Sequence, residues 1–144
     1  MKKEFKITRD HIYGLVASRM EWEGTRTPAK EADYSRVSLA ESDRRLLHSL
    51  FDEAAMHAID LCRPFLESAS NTDDALTLKV AIPTGQNADN FSMALIKMLT
   101  SHVLALWQDI VTPDRAAASF DRRNDYATKL LAILYHHPAP KRKS

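Results

Sequence analysis

The residues best suited to bind a metal ion are Asp52, Glu53, His57 and Asp60. On a helix, Glu53, His57 and Asp60 would share one ridge, because residues three or four positions apart are neighbours on a helix surface. Helical metal proteins usually use Glu-x-x-His and repeat it on a second helix, whereas this chain has Glu-x-x-x-His without a second copy. A solvated charged face is therefore the favoured interpretation, and we expect neither a metal nor another cofactor.

The remaining reactive side chains have simple structural interpretations. His102 lies within an apolar segment, which favours a buried, hydrogen-bonded core histidine over a ligand or a base. His136 and His137 are adjacent, so their rings would point about 100° apart on a helix. Cys62 lies among apolar residues, where cysteine behaves as a small hydrophobe. Since the sequence also contains no P-loop, dinucleotide fingerprint or nucleophile elbow, we predict that the protein is not an enzyme.

The composition is typical of one globular domain. The chain has 144 residues, of which 44% are apolar and 27% are charged, close to ordinary globular usage. The formal net charge is +1, so no strong overall field favours nucleic acid or a membrane. A single cysteine excludes an intramolecular disulfide and fits a reducing compartment such as the cytoplasm.

Apolar residues that recur at three- and four-residue spacing predict helices. The first helix should begin near Thr8, a plausible N-cap, and end at Gly24. The second should begin at Ser38, which has capping-box spacing with Glu41. It should end around Pro64, because a proline ring removes a backbone donor and clashes with the preceding turn.

Two further helices are predicted in the second half of the chain. The third should begin near Asn87 or Asp89, and it is apolar nearly all round, including Trp107. That pattern is typical of a central helix. Polar residues interrupt its apolar stretch, which indicates a buried helix and not a membrane span. Thr112 and Pro113 then have the residue types of an N-cap and first position of a fourth helix.

Residues 76–82 have the clearest β pattern, because four apolar residues alternate there: Leu76, Leu78, Val80 and Ile82. Residues 68–74, just before them, are predicted to be a polar connection. A strand cannot satisfy its own backbone donors and acceptors. Its partner would be a short strand around residues 34–37, or the edge of another chain. Pairing with another chain would make these four residues an assembly surface.

Together these elements predict a mainly α fold, a bundle of about four helices with a minor β element of one strand or a small hairpin. The domain should span residues 1–137, followed by a basic, proline-containing tail at 138–144. The tail offers possible phosphate contacts at Lys141, Arg142 and Lys143, although a solvated end is the commoner role of such a run. Arg122 and Arg123 lie in a charged run that is either exposed surface or a subunit contact.

Three stretches, residues 7–24, 33–66 and 93–142, carry a resemblance to a known family. The order of Trp107, Thr112-Pro113, Tyr126 and the basic, proline-containing residues 138–142 resembles that of small prophage-encoded structural proteins. These are similar to the head-to-tail adaptor (connector) proteins of tailed bacteriophages. The resemblance implies a ring-forming virion or neck component that has no catalytic residues.

We therefore predict a non-enzymatic phage or prophage structural protein that forms a homo-oligomer and contacts other phage structural proteins. It would be located in the cytoplasm, or in the virion after assembly. The alternative is a helical nucleic-acid-binding regulator, supported by the basic tail and by Arg44-Arg45. Against it, no helix-turn-helix with a basic recognition helix is recognisable. A small helical metal protein or enzyme, based on Glu53, His57 and Asp60, is the third hypothesis.

Overall fold

The computed structural model describes residues 2–26 and 44–135, apart from the side chains of residues 21–26 and 44. Within these residues the fold is mainly α, as predicted, with four helices: α1 (Arg9–Arg26), α2 (Arg44–Cys62), α3 (Ala88–Val111) and α4 (Pro113–Leu134). The β element is larger than predicted, because it is an antiparallel sheet of three strands: β1 (Lys2–Thr8), β2 (Leu66–Asn71) and β3 (Ala75–Ala81).

The strand predicted at residues 76–82 is the middle strand of this sheet. Its order is β1-β3-β2, and both pairings are antiparallel, with Leu78 opposite Phe5 on one side and Ala69 on the other. Both edges of β3 are therefore paired inside the chain. The prediction that this strand pairs with another chain is wrong, and so is pairing with residues 34–37, which themselves lie outside the described residues.

Both flanking strands lacked a strong signal in the sequence. In β1 only Phe5 and Ile7 are buried, between exposed lysines and a glutamate. In β2 none of the residues is fully buried, so the predicted polar connection is instead a polar edge strand. The turn after β2 is held by Thr72, whose hydroxyl accepts hydrogen bonds from the backbone N–H groups of Asp74 and Ala75 at 3.3 and 3.2 Å.

The helix boundaries follow local side-chain chemistry. The Thr8 hydroxyl accepts from the His11 N–H at 3.3 Å at the start of α1, and Asn87 caps α3 by accepting from the Asp89 N–H at 2.7 Å. Pro64 lies in a short 3₁₀ turn directly after α2. These boundaries were predicted, whereas α1 continues to Arg26, past the predicted end. The proposed cap at Ser38 lies outside the described residues.

Helix α3 forms the centre of the fold. By length and composition it is apolar enough to cross a membrane, but 61% of its apolar window is buried inside the protein. It packs against the other three helices and against β1. Trp107 is only 3% exposed, which confirms the expected central helix.

Arg9 connects the sheet to the helices around it. Its side chain is 3% exposed, and Nε donates to the Thr72 carbonyl at 2.8 Å while Nη1 donates to the His48 carbonyl at 3.1 Å. Nη2 donates to Asp52 Oδ1 at 2.6 Å and to Asn71 Oδ1 at 2.9 Å. One side chain at the start of α1 therefore holds the end of β2, the following turn and α2 together.

The surroundings of Arg9 stabilise its charge. Asn71 Nδ2 also donates to Asp52 Oδ1 at 2.9 Å, and the guanidinium carbon lies 4.5 Å from the centroid of the Phe51 ring. Burial opposes ionisation of Asp52, but the hydrogen bonds from Arg9 and Asn71 and the charge of Arg9 outweigh it, so its pKa is lowered. The pair is thus charged at neutral pH.

We expect Arg9→Met to lower the free energy of unfolding by about 2–4 kcal/mol, because it removes the side-chain donor to the Thr72 carbonyl and breaks a partly buried ion pair. Lys2→Met removes an exposed pair with Glu67 and should change stability by less than about 1 kcal/mol. Urea denaturation followed by circular dichroism measures both. Equal losses for the two variants would contradict the central role of Arg9.

Trp107→Ala should lower the free energy of unfolding by about 3–5 kcal/mol, since it removes a large buried side chain from the central helix. Ile110→Ala is the matched control, because Ile110 lies on the same helix and is 57% exposed. Surface changes of this kind usually stay within about 0.5 kcal/mol. A loss below about 1 kcal/mol for Trp107→Ala in the same denaturant experiment would show that the tryptophan does not pack as described.

Candidate functional site

The strand residues predicted to form an assembly surface lie in the core of the protein. The relative exposure of Leu76, Leu78 and Val80 is 0%, and that of Ile82 is 5%. Leu76, Leu78 and Val80 form the inner face of β3, and Ile82 follows the strand directly and belongs to the same core cluster. The prediction is wrong, because the alternating apolar residues pack against the core of their own chain and not against another chain.

The predicted acidic and histidine cluster on α2 is divided between different partners. Asp52 and Asp60 each pair with an arginine, at 2.6 Å in both cases, Glu53 is exposed, and the ring of His57 faces α3. No group of three or more histidine, cysteine, aspartate or glutamate side chains that could hold a metal occurs in residues 2–26 and 44–135. The expectation of no metal stays a prediction, for elemental analysis to test.

Two histidines meet in the interior between α2 and α3. The ring centroids of His57 and His102 lie 4.9 Å apart, and the rings are perpendicular. Arg123 Nη1, from α4, lies 3.2 Å from His102 Nε2. Because a guanidinium only donates, this nitrogen must accept, and the ring proton is therefore on Nδ1. His102 is 6% exposed, which confirms the expected core histidine.

The surroundings of this histidine pair oppose protonation. Burial, the positive charge of Arg123 and the neighbouring His57 lower the pKa of His102 to about 3. Burial and Arg123 also lower the pKa of His57, against the opposing effect of Asp60. The Nδ1 atoms of both rings are buried and have no hydrogen-bond partner in the described part of the chain. The adjacent cation makes this pair unsuited to bind a metal ion.

The two predicted contact arginines have different positions. Arg123 is directed inwards to His102, and its guanidinium carbon lies 5.1 Å from the centroid of the Phe120 ring. Arg122 lines a surface groove instead. Neighbouring residues on a helix point about 100° apart, so the two side chains cannot share one role. Only Arg122 is placed to contact a partner through this groove.

The other predicted residues add little to a site. Cys62 is completely buried, and burial raises the pKa of its thiol to about 12, which fits the expected small hydrophobe. Several candidates lie outside the described residues, and their roles stay predictions: His136, His137, Lys141, Arg142 and Lys143.

A groove of about 410 Å³ opens between α1, α3 and α4, a volume within the usual range of binding pockets. Its apolar lining residues are Leu15, Met93, Ile96 and Leu104. Its basic lining residues are Arg19, Lys97 and Arg122. Thr100, Ser101 and Tyr126 complete the lining, so none of the lining residues is acidic.

The groove exposes large side chains at its surface. Met93 is 54% exposed and Leu15 is 37% exposed. Two amines lie near the Tyr126 ring, with Lys97 Nζ 5.7 Å and Lys129 Nζ 5.3 Å from its centroid. A groove lined by apolar and basic side chains suits a partner that is partly apolar and carries negative charge. We define the ten lining residues as the basic groove.

Of the ten residues in this groove, only Arg122 was predicted from the sequence to contact a partner. Tyr126 was part of the family resemblance. The other residues belong to helices far apart in the chain. The sequence contained one indication of the groove, the apolar residue Leu15 of α1. In the structure this side chain remains partly exposed. Nothing in the pattern of one helix shows which exposed residues of another will lie beside it.

Comparisons of the chain with known protein families, with characterised proteins and with solved structures find no match. The resemblance to phage connector proteins therefore depends on the order of residues described above.

The histidine pair predicts a pH dependence of stability. The folded protein keeps His102 neutral, whereas the unfolded chain binds a proton below the ordinary pKa of 6.5. The free energy of unfolding should therefore fall as the pH is lowered from 6.5 towards about 3, by up to about 1.4 kcal/mol per pH unit from this residue.

His102→Gln keeps an acceptor for Arg123 but does not titrate, so it should reduce this dependence. His11→Gln, at an exposed position on α1, should leave the dependence unchanged. Urea unfolding between about pH 4.5 and 7.5 measures how the free energy of unfolding changes with pH. This pH range covers most of the titration window of His102. The same slope for His102→Gln as for the parent would contradict the role of His102.

Proposed function

We propose that the protein is a non-enzymatic structural protein that assembles by protein–protein contacts, in the manner of a phage head-to-tail adaptor. The single observation that supports this most is the basic groove, an exposed surface lined by apolar and basic side chains. Protein interfaces have an apolar centre and are enriched in methionine, arginine and aromatic residues. Met93, Arg122 and Tyr126 provide these residue types in one groove.

The lining of the groove favours a protein partner over nucleic acid. Nucleic-acid backbones are bound chiefly by cations that neutralise phosphates, and such contacts do not require exposed aliphatic side chains. Here Leu15 and Met93 are exposed beside Lys97, so occupation would remove apolar surface from water as well as pair charges. The regulator hypothesis is the alternative that the experiment below also tests.

The supporting elements make the groove a preformed surface. Its walls are three helices, of which α3 is packed in the core. Rigid helices hold their side chains in place, so a partner loses little free energy through ordering the groove. This suits an assembly unit that joins its neighbours without refolding.

The protein should form oligomers whose average mass rises with concentration between about 10 and 500 µM, as expected for contacts of modest area. Met93→Asp should weaken assembly about tenfold or more, because it replaces an apolar contact side chain of the groove with a charge. Light scattering and sedimentation velocity measure the mass, and circular dichroism checks the fold.

Ile110→Asp is the control, since Ile110 is as exposed as Met93 but lies outside the groove. A monomer at every concentration contradicts self-assembly. A monomer that instead binds duplex DNA with a steep salt dependence would favour the nucleic-acid-binding regulator.

A further inference from the structure

Helix α2 carries a surface whose chemistry complements the basic groove. Glu53, Met56 and Asp60 are spaced by three and four residues, so they lie on one side of the helix. Met56 is 52% exposed, the Asp60 side chain is 63% exposed, and Glu53 is exposed as well. We define these three residues as the α2 ridge, a protruding apolar side chain between two carboxylates.

The ridge and the groove are separate parts of one molecule. No residue of α2 lines the groove, and the ridge lies on the outer side of α2, away from the buried Ala54, Ala55 and Ala58. Each copy of the protein therefore presents one groove and one ridge at the same time.

We propose that the α2 ridge of one copy occupies the basic groove of a second copy. Met56 would contact the apolar side chains of Met93 and Leu15. Glu53 would face Lys97, and Asp60 would face Arg122. This inference rests on the proposed function, and it names the partner surface that the function requires.

The dimensions are compatible with this docking. The ridge extends over seven residue steps of α2, about 10 Å along the helix. On α3 the groove is lined from Met93 to Leu104, about 16 Å at the same rise per residue. Two helical turns of α2 therefore fit along this wall of the groove.

The existing ion pair of Asp60 does not prevent the contact. Asp60 pairs with Arg63 at 2.6 Å, but both side chains are about two thirds exposed, at 63% and 66%. Exposed pairs of this kind contribute little to stability, so Asp60 can exchange its partner. A contact of this size buries less than a standard interface, which is why assembly is expected only at high concentration.

The geometry of the contact determines the form of the assembly. Because the two surfaces differ, the contact is head-to-tail, and every added copy leaves a further groove and a further ridge. Growth then continues until a ring closes or an open filament forms. The smallest closed form is a symmetric dimer, in which the ridge of each copy occupies the groove of the other.

A charge exchange tests which side chains meet. Lys97→Glu and Glu53→Lys should each weaken assembly about tenfold or more, and the two changes in one chain should restore it. Lys6→Glu and Asp73→Lys are the controls, since they change charge by the same amount at exposed positions outside both surfaces. Failure of the double variant to regain assembly would overturn the proposed pairing.

A mixing experiment tests the head-to-tail geometry. Met93→Asp blocks the groove and Met56→Asp blocks the ridge. Each variant alone should remain monomeric in light scattering at concentrations where the parent protein assembles. Mixed in equal amounts, they should form a dimer and grow no further, because only one intact ridge and one intact groove remain. Both positions are exposed, and thermal melts matching the parent would show that the fold is retained.

The outcomes separate this inference from the proposed function. If the parent protein does not assemble, the proposed function fails. If Met93→Asp blocks assembly but Met56→Asp does not, another surface fills the groove, so the function stands and the inference fails. A mixture that remains monomeric would also overturn the inference.

Discussion

The hydrogen bonds of the buried Arg9 guanidinium are the interactions on which the arrangement of the fold depends. A buried charge is costly unless its donors are satisfied, and this one reaches Thr72, His48, Asp52 and Asn71. These partners belong to a turn, a strand and a helix that are distant in the chain. To give each guanidinium nitrogen of Arg9 an acceptor, α1, β2 and α2 must meet at one place. This arrangement also positions β3 between its two neighbours.

Completion of the sheet within the chain determines which surfaces remain for partners. The middle strand has no free edge, and the outer strands carry charged residues such as Lys2 and Glu67, which form an ion pair across the sheet surface. Charged edge strands discourage pairing with other chains. Among the described residues, the surfaces that we propose for assembly are therefore helical, namely the basic groove and the α2 ridge.

Helix α4 links the interior of the protein to this surface. Arg123 is directed towards the buried histidine pair, and Arg122 lies in the groove. Burial, together with this inward contact, lowers the pKa of His102 and keeps the ring neutral, which couples the stability of the core to pH. Arg122 provides a cation in the groove for the partner that we propose. One charged run therefore serves both packing and surface chemistry.

The sequence by itself determined the helices, the middle strand and the buried character of Trp107, Cys62 and His102. These properties depend on local periodicity, on capping residues and on proline, which act over a few positions. Only the tertiary structure decided the partners of β3, because the polar residues of β2 have no strong strand preference and pair where Arg9 and the turn at Thr72 place them. It also decided the groove, since residues from three separate helices become one surface only when the core packs, and no local pattern encodes that contact.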